Sequence, residues 1–169
     1  MAILQLTDFA TGRYQVSQVT SDNKSLQINE SIQRIQDTIL DKLLGVELKD
    51  LFDTEYVEPI PEKWSDLIDG KVYDNTNYSE KIRFDGIKEA LKAFTYADFL
   101  NNDSFNTDAG QVRLMGKSTT TKLNGIELKQ LRDQAFNDGV QIYQKARDFM
   151  YENIDDYPNW KYSNISFRK

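Results

Sequence analysis

From about Ser25 the chain places Ile28, Ile32, Ile35, Ile39, Leu43 and Val46 three or four residues apart, with Gln27, Arg34, Asp37 and Asp41 between them. That spacing gathers the apolar side chains on one stripe of an α-helix and leaves the polar ones off it. Gly45 supplies a left-handed stop, so the pattern predicts a first helix that ends there. A short helix or turn is expected over 47–52. Pro59 and Pro61 then force an extended segment, because each ring fixes its own φ and restricts the residue before it. Trp64, Leu67 and Ile68 predict one apolar face of a short helix closed by Gly70. Val72 and Tyr73, and then Ile82 and Phe84, flank a polar stretch and predict a small hairpin. Ile87, Leu91, Phe94 and Ala97 share the face of a further helix. Tyr96 and Phe99 widen that face, so this helix should be buried on more than one side.

The remaining segments are less periodic. Ile3, Leu4 and Leu6, followed by Tyr14, Val16 and Val19, predict an extended arm over 1–24, with one strand at most. Residues 101–124 are polar and read as a long loop or a second hairpin, and loops of that length in compact domains usually serve function. Asn124 with Glu127 forms a capping-box pattern that opens the longest helix. Leu128, Leu131, Ala135, Ile142, Ala146 and Phe149 make its main stripe, and Phe136, Val140, Tyr143, Met150 and Ile154 a second beside it. Gly139 sits near the seam, where a missing side chain lets another helix come close. Running to about Asn153, this helix would span roughly 40 Å at 1.5 Å per residue. The expected fold class is therefore mainly α. It is a small helical bundle with a long C-terminal helix, a small β-hairpin or long loop, and extended N- and C-terminal arms. Its divisions are an arm over 1–24, a helical domain over 25–154 and a C-terminal docking tail over 155–169.

Composition narrows the chemistry. The chain has no Cys and no His, which removes thiolate nucleophiles, the commonest general base and the commonest zinc ligand. No catalytic residue, metal or cofactor is expected. A formal charge of −6 argues against a protein built to grip nucleic acid, since that grip comes from Lys and Arg on phosphates. No apolar run approaches the roughly 20 residues of a membrane helix, and the start lacks the basic flank of a signal peptide, so no membrane partner is expected.

The nearest approach to a catalytic motif is Gly110 followed by Gly116, Lys117 and Ser118. A phosphate-binding loop separates its glycines by four residues, so that backbone N–H groups curl round the phosphates, whereas here there are five. Asp50, Asp53, Glu55 and Glu58 cluster before the prolines, but their spacing matches no alternating calcium loop. Arg113, Lys117 and Lys122 give the long loop a positive character that the rest of the chain lacks, which fits a solvated loop first and contact with DNA or an acidic neighbour second. Tyr157, Trp160, Tyr162 and Phe167, with Lys161, Arg168 and Lys169, lie beyond the last helical stripe. No periodicity assigns these aromatics to a core face, and Tyr, Trp and Arg dominate protein interfaces, so they are expected to dock on another chain.

The order of these features resembles the head–tail connector, or adaptor, proteins of tailed bacteriophages, including the neck ring proteins of crAss-like phages. The residues that carry the resemblance are Trp64, Leu67, Gly70 and Tyr73, then Gly86, Leu91, Phe94 and Tyr96, then Thr107, Gly110 and Val112. The long final helix follows, and after it Tyr157, Pro158 and Trp160, so the likeness runs over about residues 26–162. It implies a non-enzymatic virion protein of the neck, present in the host cytoplasm before assembly. Such a protein is a homo-oligomeric ring of about twelve copies beneath the portal protein, in contact with further neck or tail proteins. It also implies that the C-terminal segment reaches the portal, while Arg113, Lys117 and Lys122 face a channel through which double-stranded DNA passes without sequence-specific binding. The first 24 residues match nothing in that pattern. Two other classes fit the residues less well. One is a small helical regulatory module acting through its aromatic tail, and the other is a carboxylate-dependent metal enzyme.

The glycine spacing makes one expectation directly measurable. Calorimetric titration with ATP and Mg²⁺ should show no heat, and a submicromolar affinity abolished by Lys117→Ala would contradict it.

Overall fold

The computed structural model describes residues 3–16, 22–75, 80–101, 125–158 and 160–161. In chain order the elements are a 3-10 turn (Leu6–Phe9), α1 (Asp22–Glu55), α2 (Glu62–Asp69), β1 (Lys71–Asn75), β2 (Glu80–Phe84), α3 (Ile87–Asn101), α4 (Gly125–Glu152) and a second 3-10 turn (Ile154–Asp156). The mainly helical bundle with a small hairpin is thus the observed fold.

Helix α3 is the centre of the body. Ten of its fifteen residues are buried, among them Ala90, Leu91, Phe94, Tyr96 and Phe99, which span its whole circumference. A helix with apolar residues all round must be enclosed, and α1 and α4 supply the enclosure. Helix α4 runs antiparallel to α3. Arg132 near its start donates to Asn101 at the end of α3 (2.9 Å), while Phe149 near its end stacks on Phe84 just before α3 (4.9 Å). The two helices come close because Gly139 faces the Phe94 ring, where a Cβ would fall 2.9 Å from the ring carbons. Helix α1 is tied to the outer side of α3 by the Arg34–Asp98 ion pair.

Gly45 breaks α1, with φ 72° and ψ 170°, but the chain resumes helical turns at once and continues to Glu55. Val46, expected on the buried stripe, is instead 80% exposed. The break re-aims the second half, whose buried positions are Leu48 and Phe52. The hairpin is antiparallel with Val72 opposite Arg83 and Tyr73 opposite Ile82. Its inner face rests on α4 through Tyr73, whose ring meets Phe149 edge-on at 5.2 Å. At the base of the hairpin the backbone enters at Gly70 (φ 94°) and leaves at Gly86 (φ 85°). A Cβ on either glycine would fall 2.7 Å from the other's backbone nitrogen, so no side chain fits where the two strands cross.

Among the described residues of the N-terminal segment, 3–16, there is no strand, and they are not a free arm. Ile3, Leu4, Phe9, Tyr14 and Val16 are buried in the same core as the helices. Gln36 of α1 accepts the Ile3 N–H at 2.9 Å, and Lys88 of α3 pairs with Asp8 at 3.1 Å. The separate arm expected over 1–24 is corrected on these residues, because a segment that buries this much apolar surface belongs to the domain.

The two kinds of glycine should separate on substitution. Gly45→Ala meets nothing within 4 Å and carries only backbone strain, about 1–3 kcal/mol. Gly70→Ala adds a collision with backbone that cannot step aside, and should cost at least about 1 kcal/mol more in urea unfolding. Equal costs would show that the hairpin base yields freely.

Candidate functional site

The sequence singled out two segments, and the structure treats them differently. Arg113, Lys117 and Lys122 lie outside the described residues, as do Tyr162, Phe167, Arg168 and Lys169. Tyr157, Trp160 and Lys161 are described, and the first two are corrected: they anchor the chain to its own core rather than standing free for a partner. Helix α4 ends at Glu152, where Asn153 turns its side-chain amide back onto the Phe149 carbonyl (2.8 Å). The 3-10 turn that follows, carrying Asp155 and Asp156, points Tyr157 inwards.

Tyr157 is fully buried, and its hydroxyl donates to the Lys63 carbonyl at 2.7 Å. Burial, with Asp156 and Asp66 nearby, pushes the phenol above its ordinary pKa, so it remains a donor. Its ring lies 5.7 Å from that of Trp64 and 6.2 Å from that of Phe149. Trp64 in turn meets Phe52 edge-on at 5.1 Å, so one aromatic cluster joins the second half of α1, α2 and the end of α4. The rim of this cluster is polar. Lys63 and the Trp64 indole both donate to Glu55, at 2.7 and 2.8 Å, and hold its carboxyl below the usual carboxylate range.

Trp160 goes further along the body. Its indole N–H donates to the Leu43 carbonyl at 2.8 Å, in a buried position. A helix end leaves its last carbonyls without intrahelical partners, and Leu43 stands just before the break at Gly45. The C-terminal segment therefore caps the first half of α1. Lys161, next in the chain, is exposed.

Among the described residues, cavities also lie elsewhere. One, of about 700 Å³, sits between the N-terminal segment and the hairpin and is lined by Arg13, Lys71 and Arg83 against Asp69, Asp85 and Glu89. Its cations are already engaged. Arg13 pairs with Asp138 (2.6 Å), Lys71 with Asp66 (2.7 Å) and Arg83 with Asp85 (2.9 Å). Another, of about 320 Å³, lies over α3 between α1 and α4, with Ile35, Ile39, Phe94 and Phe136 as its apolar lining. Among the described residues no three acidic side chains come together to hold a metal ion. No described helix is long and apolar enough to cross a membrane.

Reasoning from the sequence missed the N-terminal contribution, in particular Tyr14, whose ring lies 5.7 Å from Tyr96 and whose hydroxyl faces Asp138 at 3.4 Å. It also left unused the off-stripe residues of α1 and α4, which form the two long exposed faces of the bundle. The available signal was their polarity at helical spacing.

A family model described as a family of unknown function (DUF6712) matches residues 40–166. It begins within α1, just ahead of Gly45, and takes in the capping segment with Tyr157 and Trp160. No curated protein and no solved structure matches the chain.

The buried anchors should show themselves in stability. Trp160→Ala is expected to cost about 3–5 kcal/mol, and Trp160→Phe about 1–3 kcal/mol through the orphaned Leu43 carbonyl. At about 2–4 °C per kcal/mol, thermal melts followed by circular dichroism should fall by at least about 6 °C for Trp160→Ala. Truncation after Asp156 should lower the melt more, and an unchanged melting temperature would return these aromatics to the role of a free arm.

Proposed function

The chain belongs to the DUF6712 family, of unknown function, and on that premise we propose that it is a structural connector of a phage neck. In this reading the protein forms a ring of about twelve copies beneath the portal, joins capsid to tail and surrounds the DNA channel. It performs no catalysis and takes no cofactor. It resides in the virion neck after assembling in the host cytoplasm.

One observation carries most weight. The two segments assigned to different partners leave opposite ends of the same antiparallel helix pair. Residues 102–124 connect the end where Asn101 meets Arg132. The hairpin and the Tyr157 anchor occupy the end where Phe149 meets Phe84 and Tyr73. Along α4 the contacts of Arg132 and Phe149 are roughly 25 Å apart at 1.5 Å per residue. A subunit with this polarity supports contact with two partners, and in this reading Arg113, Lys117 and Lys122, outside the described residues, contact DNA. In the same reading Lys161, Tyr162, Phe167, Arg168 and Lys169 bind the portal or a neighbouring ring. The net charge of −6 agrees with a conduit that lets DNA slide past. The regulatory-module reading loses its two best anchors, since Tyr157 and Trp160 are buried.

Negative-stain images of the purified protein, alone and mixed with portal, test the proposal. Rings that stack coaxially on the portal are expected, together with release of the portal when residues 162–169 are removed. A monomer under every condition, with no portal bound, refutes it.

A further inference from the structure

The groove of about 320 Å³ over α3 is apolar within and charged at its rim. Phe94 and Ala97 of α3, with Ile39 of α1, are its buried residues. Ile35 of α1 and Phe136 of α4 are only half-buried there, so this part of the core still meets water. The rim carboxylates are matched within the chain, Asp98 by Arg34 and Asp133 by Arg132. A groove of this kind selects apolar side chains rather than a charged ligand.

The C-terminal segment arrives at one end of it. The Trp160 indole is held at the Leu43 carbonyl (2.8 Å), and Lys42, one residue before, lines the groove. Lys161 is exposed, and residues 162–169 follow it. From Leu43 back to Ile35 the helix covers roughly 12 Å at 1.5 Å per residue. Extended chain covers about 3.3 Å per residue, so Ile165 and Phe167 can reach roughly 13 and 20 Å from Lys161. Both therefore have the length to enter the groove. Two apart in sequence, they fall on one side of an extended chain, with Asn164, Ser166 and Arg168 on the other.

We propose that residues 162–169 lie in this groove of their own chain, with Ile165 and Phe167 against Ile35, Ile39 and Phe136. The inference is independent of the connector reading, because it names where the tail rests before any partner takes it. The apolar residues of the tail meet the half-buried apolar residues of the groove, and its polar side faces water. The anchor at Trp160 makes the docking intramolecular, at an effective concentration of about millimolar, which favours this occupant over the tail of another copy. A partner that takes the tail must then displace it from the groove.

The chain has no cysteine, so introduced thiols are the only ones present. Thr38→Cys, exposed and lining the groove, is combined with Ser166→Cys in the full-length protein. The comparison is Lys145→Cys with Ser166→Cys, since Lys145 is exposed on α4 and outside the groove lining. Oxidation of the dilute protein is followed on non-reducing gels, where disulfides within one chain and between chains migrate differently. The pair with Thr38→Cys should close within the chain about tenfold faster or more than the pair with Lys145→Cys. Adding Ile165→Ser and Phe167→Ser should return it to the slower rate. Equal rates at the two positions, a disulfide formed only between chains, or a rate unmoved by the two serines overturns the proposal. Rings and portal binding judge the connector reading separately, so either can fail while the other stands.

Discussion

The structure depends on covering α3 from every side. Its buried residues lie on most of its circumference, so any arrangement that uncovered one flank would return Phe94, Tyr96 or Phe99 to solvent, at about 1.5–3 kcal/mol each. The close approach at Gly139 lets α4 cover one flank with its whole length. Helix α1 covers another, and the N-terminal segment closes what remains, with Tyr14 laid against Tyr96. The exposed faces of α1 and α4 are a by-product of this arrangement, since two helices on one central helix each keep an outer side.

What was legible in the sequence followed from local periodicity. The stripes of α1, α3 and α4, the hairpin pairing and the close contact at Gly139 all come from spacings of two, three or four residues. Val46 was misplaced because a stripe can be extrapolated through a glycine on paper, whereas φ 72° at Gly45 re-aims the axis. Irregular segments offered no such guide. Phe9, Tyr14, Tyr157 and Trp160 are buried singly, at spacings set by the surface they cross, so lack of period was mistaken for lack of burial. The polarity of the outer helix faces was also in the sequence. Their placement around α3, which gives them meaning, required the fold.

Charge in this molecule chiefly fixes local geometry. Around the hairpin cavity and α2, cations and carboxylates answer each other within the chain, as with Arg13 and Asp138 or Lys71 and Asp66. Exposed pairs of that kind contribute about 0–1 kcal/mol each and chiefly fix local geometry. On the long helices, too, charges of both signs share the exposed faces, as with Arg34 and Asp37 on α1 or Lys145 and Asp148 on α4.

The bond from the Trp160 indole to the Leu43 carbonyl links residues 117 positions apart. It concerns the order of events as well as stability. The chain must be made as far as Trp160 before the end of the first half of α1 has its final partner. Until then the bend at Gly45 is finished on one side only, and the aromatic cluster round Trp64 lacks Tyr157 as a wall. Contacts of such long sequence separation are closed late and slowly, because loop entropy must be lost before they return anything. A nascent chain would therefore pass through a state in which α1 and α3 are formed but the base of the bundle is open. The last step in maturation would be the C-terminal segment closing over it.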